Sequence, residues 1–261
     1  MKFFIKLIKY LFPKTFELLD QKRVRFKMRK PLKWASNNCS DTGKFMKNID
    51  IKIFNETNEF KKKFESKAER ILSKSKVWQG GGGAYDLIYF LVMKTKPFVV
   101  LETGVASGFS TNAILTALKN LQFGQLYSSD LPYPNTEGSK EAIGILVEEE
   151  NKKNWTLCID GDKKCLKKIN DNIKRIDIFH YDSDKSYESR KFAWDILNSK
   201  FEKNTIIIYD DIHNNFHFRD LVKQLKVEYK VFKFENKYVG IFVYGGKLDF
   251  NYFFSPMLPD G

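Results

Sequence analysis

Cysteine is scarce in this chain. Only Cys39, Cys158 and Cys165 occur, with no C-x-x-C pair and one thiol left over, so neither a disulfide framework nor a zinc site is expected, and a reducing cytosol is the favoured compartment. Long apolar runs are missing too. The N-terminal stretch Met1 to Phe12 is broken by Lys6 and Lys9, and it is far short of the ~20 residues that a membrane span requires. No small-residue cleavage site follows before Pro13, so it does not read as a secretory signal either. Arginine is sparse beside lysine, which weakens a nucleic-acid reading, because phosphate and base recognition favours clustered guanidinium groups among stacking aromatics. Internal repeats and low-complexity tracts are absent.

What is present suits a packed protein. Hydrophobic residues make up 43% and aromatics 15% of 261 residues, enough for one sizeable core domain with an appendage. The formal charge of +13 would attract polyanions, but the lysines are scattered through helices and loops, and a solvated surface explains them better than a nucleic-acid partner does. Lys2, Lys6 and Lys9 fall on one stripe at helical spacing and leave Phe3, Phe4, Leu7, Ile8 and Leu11 for the other face. Such a short amphipathic helix is expected to pack on the protein's own core or on a second subunit. Peripheral contact with an anionic membrane surface is the alternative use of residues 1–12.

Residues 1–75 are Lys-rich with helical stretches, notably Asn58 to Ser73, and show no convincing strand. They read as a helical extension or cap. Gly80 to Gly83 then break the chain, and Ala84 to Met93 resumes a helical pattern. From Pro97 onward, short apolar β-branched runs alternate with amphipathic segments, the signature of βαβ units on a parallel sheet. Strands are expected at Phe98 to Thr103, Gln125 to Ser129, Thr156 to Ile159, Asp177 to Tyr181 and Thr205 to Tyr209. The helices between them are expected at Ser110 to Leu121, Lys140 to Lys152, Lys163 to Ile173 and Tyr187 to Leu197. After a helix at Phe216 to Leu225, the connection Glu235-Asn236-Lys237 joins Lys230 to Phe234 and Tyr238 to Tyr244, and it is too short for anything but an antiparallel hairpin.

Chemistry concentrates at strand ends. The buried run Phe98 to Thr103 leads into Gly104-Val105-Ala106-Ser107-Gly108-Phe109-Ser110-Thr111, where glycines let the backbone approach a ligand and the helix start offers free amides. The next strand ends at Asp130, placed to accept hydrogen bonds from a ribose diol. A dinucleotide would use the same logic, but the G-x-G-x-x-G spacing is absent.

The run Leu101-Glu102-Thr103-Gly104-Val105-Ala106-Ser107-Gly108-Phe109-Ser110-Thr111 resembles the first motif of class I S-adenosylmethionine-dependent methyltransferases. More narrowly, it is similar to a methyltransferase-domain group associated with sugar and cell-surface-glycan modification. Asp130-Leu131-Pro132, Ile143 to Val147, Trp155-Thr156-Leu157 with Gly161-Asp162, Asp182-Ser183-Asp184 and Asp210-Asp211-Ile212 agree with that group in order and separation. The likeness runs from about Trp78 to Tyr244. It implies an α/β fold, a Rossmann-like doubly wound sheet of seven strands, five parallel plus a C-terminal antiparallel hairpin, with the catalytic domain over 76–250 and a tail over 251–261. It further implies S-adenosyl-L-methionine as donor. Glu102, Gly104 and Ser110 would border the methionine part, Asp130 the ribose and Asp160 or Asp162 the adenine, and Ala106, Gly108 and Asp182 would also belong to the donor site.

Two acidic groups follow apolar strands, Asp182-Ser183-Asp184-Lys185 and Asp210-Asp211-Ile212-His213. Strand carboxyl ends open on one crevice, so both groups are expected beside the glycine loop. Like charges gathered there are tolerable if a cation neutralises them. Asp182 with Lys185 and then Asp210-Asp211 resembles the cation-dependent catechol-type O-methyltransferases. That likeness implies a Mg²⁺-type ion on Asp182, Asp210 and Asp211, with Lys185 as base, although those enzymes more often carry Asn where Asp211 stands. His213 is an alternative base or ligand. The acceptor expected is the hydroxyl of a small molecule or glycan. Methylation of RNA and a non-catalytic interaction module are the competing readings.

Overall fold

The computed structural model describes residues 27–75, 77 and 82–248. The amphipathic stretch 1–12, Gly80 and Gly81, and the tail 251–261 lie outside the described residues.

A helical segment at 27–37 leads into β1 (Cys39–Ser40), α1 (Thr42–Ile49) and α2 (Ile51–Leu72). Asp50 fixes the start of α2, its carboxylate accepting the amides of Lys52 and Ile53 at 3.1 and 3.2 Å, as an N-cap acid does. α3 (Tyr85–Thr95) follows, then β2 (Val99–Thr103), α4 (Phe109–Leu121), β3 (Gln125–Ser129), β4 (Trp155–Cys158), α5 (Asp162–Asn172), β5 (Ile176–Tyr181), α6 (Tyr187–Leu197) and β6 (Phe201–Tyr209). A short 3-10 turn at Ile212–Asn214, α7 (His217–Leu225) and the hairpin β7 (Tyr229–Phe234) and β8 (Lys237–Val243) complete the described chain.

The sheet runs β1-β7-β8-β6-β5-β2-β3-β4. β2 to β6 are mutually parallel where they pair, β8 is antiparallel to β6 and β7, and β1 pairs parallel with β7. The count is therefore eight strands. The extra one comes from the N-terminal segment, where Cys39 and Ser40 cover the free edge of β7, a ladder too short to show as a period-two pattern.

Side-chain alternation divides the core between the two faces. Val100, Ile178, Ile206 and Ile208 face one layer with α2, α3 and α4, while Leu101, Phe179, Ile207 and Tyr209 face the other with α5, α6 and α7. α3 is apolar almost all round because it is buried almost all round. Met46, Phe64 and Ala68 of the N-terminal helices join its core cluster. Phe60 stacks on Tyr89 at 4.2 Å, and Phe64 meets Phe109 edge-on at 5.6 Å.

Two expectations need correction. Lys140 to Lys152 is not a helix but a run of turns followed by a 3-10 segment at Glu149–Asn154. Its amides are used elsewhere: Gly144 N–H donates to the Ala106 carbonyl at 2.8 Å and Leu146 N–H to that of Ser107 at 3.0 Å, which buttresses the glycine loop from outside. Cys158 and Cys165 form a disulfide, with Cα atoms 5.7 Å apart. β4 ends at Cys158 and α5 begins four residues later, so the strand-to-helix turn brings the two thiols together, and this removes the ground for expecting a reducing cytosol. No helix among the described residues is long and apolar enough to cross a membrane.

Candidate active site

The carboxyl ends of β2 to β6 open on a cavity of about 770 Å³, the place where ligands bind doubly wound sheets. β2 delivers the loop that starts at Gly104, whose φ is +80° and whose missing side chain would meet the Asp182 backbone at 2.6 Å. Only glycine fits that approach. The Asp182 amide donates to the Thr103 carbonyl at 2.8 Å, so the glycine loop and the first acidic group are fastened together.

The loop is held from both sides. Asp130 Oδ2 accepts the amides of Val105 and Ala106 at 2.8 and 2.7 Å. Burial pushes the Asp130 carboxyl up, against the pull of those amides. Beneath the loop, Glu102 is fully buried and accepts the hydroxyls of Ser110 at 2.6 Å, Thr111 at 2.7 Å and Ser128 at 3.1 Å. Glu102, Gly108 and Ser110 do not line the cavity, whereas Gly104, Ala106 and Asp130 do. The first group builds the loop and the second faces the cavity.

The β4 side supplies Asp160, Gly161 and Asp162 to the cavity wall. Asp160 stands at the rim, where Lys168 at 3.0 Å holds its carboxyl below the usual range. Asp162 opens α5 and bridges two strand ends, accepting Ser129 Oγ at 2.6 Å and also the Ser183 hydroxyl.

The acidic residues converge as the topology requires. Oxygens of Asp182, Asp210 and Asp211 lie within 4.8 Å of one another. Lys185 Nζ donates to the Asp182 carbonyl at 2.6 Å and to its carboxylate, and stands 3.6 Å from Asp211 Oδ2. Burial, then the neighbouring Asp210 charge, pushes Asp182 up to about 7. Burial works the same way on Asp210, but Lys185, a hydrogen bond from Asp182, Lys237 and His180 outweigh it, so that Asp210 stays below the usual carboxylate range. Asp182 is therefore the member of the pair that exchanges a proton near neutral pH. Asp210 is fully buried, and its Oδ1 has no hydrogen-bond partner among the described residues.

His213 and His217 do not share a face. His213 sits in the 3-10 turn with Nδ1 4.0 Å from Asp211 Oδ1, outside the cavity lining. His217 turns into the core against Tyr187 and Tyr209.

Several participants carry no sequence signal. Lys237, the first residue of β8, places Nζ 3.4 Å from Asp210 Oδ2 and lines the cavity; one lysine in a Lys-rich hairpin gives no warning of this. Gly83 packs against Asp210 so closely that a side chain would meet Oδ2 at 2.6 Å. Leu131, Tyr133 and Phe192 give the cavity an apolar wall.

Residues 101–212 match the family model described as a methyltransferase domain. No curated protein matches the chain by sequence. Among solved structures, the O-methyltransferase of Bacillus cereus in complex with S-adenosylhomocysteine is similar with a TM-score of 0.55 at 13% identity, over 69% of this chain and 90% of that one. The Streptomyces achromogenes O-methyltransferase TomG, of tomaymycin synthesis and bound to S-adenosylmethionine, gives 0.52 at 10% identity, over 70% and 89%. The S-adenosylhomocysteine-bound Podospora anserina methyltransferase PaMTH1 gives 0.53 at 10%, over 69% and 87%. The shared fold is that of class I methyltransferases. Family model and fold thus agree on a methyltransferase domain over residues 101–212.

Proposed function

We propose that the protein transfers the methyl group of S-adenosylmethionine to a hydroxyl of a small molecule or sugar unit. The observation that carries this is the convergence of Asp182, Asp211, Lys185 and Lys237 on the cavity that the glycine loop enters. The Gly104 to Ala106 loop and Asp130 face the donor. Leu131, Tyr133 and Phe192 suit the carbon skeleton of an acceptor, and the charged cluster suits its hydroxyl.

In the reaction proposed, the acceptor oxygen attacks the donor methyl, the carbon–sulfur bond breaks, and sulfur leaves as a neutral thioether. The hydroxyl proton goes to the ionised form of the Asp182 carboxylate, which titrates near neutrality, and from there to water. Lys185 and Lys237 offset the negative charge on the developing alkoxide, and Asp211 orients Lys185. The donor set also fits a hard divalent ion, since it is all oxygen and includes the unpartnered Oδ1 of Asp210. When bound, such an ion would be held by Asp182, Asp210 and Asp211 and would lower the pKa of the acceptor hydroxyl.

Calorimetry with S-adenosylmethionine, S-adenosylhomocysteine and NAD tests the donor. Radiolabel transfer from methyl-tritiated S-adenosylmethionine to catechol, dihydroxybenzoate and N-acetylglucosamine tests the acceptor class. Binding of NAD in place of either adenosyl compound would overturn the reading.

A further inference from the structure

Arg190 lies in the first turn of α6 and is fully buried. Its guanidinium is held by carbonyls. Nη2 donates to the backbone oxygens of Asp210 at 2.9 Å and Asp211 at 3.1 Å, while Nε and Nη1 have no hydrogen-bond partner among the described residues. The stacked rings of Tyr181 and Tyr209 each lie 5.8 Å from its charge. A buried charge is costly, and an apolar side chain of similar volume commonly fills such a place with no loss of stability. Core filling alone therefore does not explain an arginine here.

The two carbonyls point to what it does. Backbone carbonyls of successive residues in a strand point to opposite sides, so one donor does not normally reach both. Here Asp211 adopts φ +50° and ψ 38°, the left-handed region that glycine accepts freely and that Asp adopts less readily, as a single residue. That turn brings both carbonyls to one side, where Nη2 joins them, and sends the Asp210 and Asp211 carboxylates toward Asp182.

We infer that Arg190 is a positioning residue: it clamps the left-handed turn at Asp211 from behind, and so sets the two carboxylates at the acceptor site. This rests on the acceptor-site reading above. Arg190 itself is buried beneath the cavity floor and touches neither the donor nor the acceptor.

The test uses Arg190→Gln and Arg190→Lys in the full chain. Both are expected to bind S-adenosylhomocysteine as the unaltered protein does. In crystals of those complexes, Asp211 leaves the left-handed region in Arg190→Gln, and its carboxylate separates from Asp182. With catechol as probe acceptor, kcat falls about a hundredfold in Arg190→Gln, the scale set by a displacement near 1 Å, while KM for S-adenosylmethionine holds and Arg190→Lys recovers part of kcat. If catechol is not methylated, the crystal result decides alone. An Arg190→Gln structure with Asp211 and its carboxylate in place would overturn the inference.

If Arg190→Gln does not fold well enough to crystallise, melting temperatures decide. Asp211→Gly needs no clamp, since glycine accepts this turn. Arg190→Gln should then lower the melting temperature by on the order of 2–4 °C in the unaltered chain and by less in the Asp211→Gly background, and equal shifts would also overturn the clamp. Asp182→Asn and Asp210→Asn separate the two claims. If these leave transfer intact, the acceptor-site reading fails; if they abolish it while Arg190→Gln is normal, only the clamp fails.

Discussion

The Ala106 amide donates to Asp130 Oδ2 at 2.7 Å, and Ala106 itself sits in the left-handed region at φ +48°. A carboxylate at the end of β3 thus fastens the loop that leaves β2, and the strained residue is the one it holds. Asp130 also lines the cavity, so loop anchoring and a cavity-facing position fall on one side chain.

Asp130→Ala should therefore weaken S-adenosylhomocysteine binding by more than a lost ligand contact alone would. Leaving buried polar groups unpaired costs about 1–3 kcal/mol, roughly a 5- to 150-fold rise in Kd by calorimetry. Asp130→Asn keeps one acceptor oxygen for the two amides and should fall between. Unchanged affinity in Asp130→Ala would remove Asp130 from the donor site.

The acidic cluster predicts a different split. Asp182→Asn, Asp210→Asn and Lys185→Met should leave donor affinity near that of the unaltered protein. Loss of a proton acceptor typically lowers turnover by ~100- to 10,000-fold, and Asp182→Asn should fall in that range, while Lys185→Met lowers turnover by removing the charge that offsets the developing alkoxide. Labelled-methyl transfer measures this. Loss in chelator with recovery in Mg²⁺ would assign the three carboxylates to a cation, and full activity in chelator would leave the charge to Lys185 and Lys237. Asp210→Asn active in chelator would dismiss both the cation and the acidic site.

Much of this site was legible because strand ends are legible. Buried runs such as Phe98 to Thr103 and Ile206 to Tyr209 fix where strands stop, and a parallel sheet then gathers Gly104, Asp130, Asp182 and Asp210 at one edge. Side-chain direction was not legible. Glu102 and Ser110 bond each other beneath the loop, and Asp162 bonds two serines from neighbouring strand ends, which depends on packing that no spacing encodes. Lys237, Gly83 and Arg190 reach the cluster across the sheet or from behind it. The segment 140–152 misleads because its amides bond the glycine loop, a tertiary contact that overrides a helical pattern.

The Cys158–Cys165 disulfide closes a short loop that carries Asp160, Gly161 and Asp162 into the cavity wall. In the chain-entropy account, a bridge over a loop this short contributes about 2 kcal/mol to stability. Reduction should lower the urea midpoint accordingly. Donor affinity should change less, because the Gly161 amide still bonds the Asp130 carbonyl at 2.9 Å and Asp162 keeps its serine partners. Thiol alkylation followed by mass spectrometry checks the pairing. Protein purified without reductant should react only at exposed Cys39, and alkylation at all three cysteines would refute it.

His217 sets a pH dependence whose sign can be worked out. Its ring is buried between Tyr187, 5.1 Å away, and Tyr209, 5.5 Å away, and Nδ1 has no partner among the described residues. Burial, and then the nearby Arg190 charge, lower its pKa from the usual 6.5 to about 4. The folded state then binds fewer protons than the unfolded state across that interval, so the stability associated with a neutral His217 is present above pH 6.5 and is lost as the pH falls through 4. A shift of this size corresponds to on the order of 3 kcal/mol. Asp182, raised to about 7, acts with the opposite sign, because its protonated form is favoured by folding and stability is lost as the pH rises. The total curve therefore mixes the two, and the difference between variants isolates His217. His217→Phe keeps the aromatic packing and cannot take up a proton. Urea unfolding at pH 7, 5.5 and 4 should show His217→Phe gaining on the unaltered protein as the pH falls, and parallel curves would rule out His217 as the acid-sensitive group.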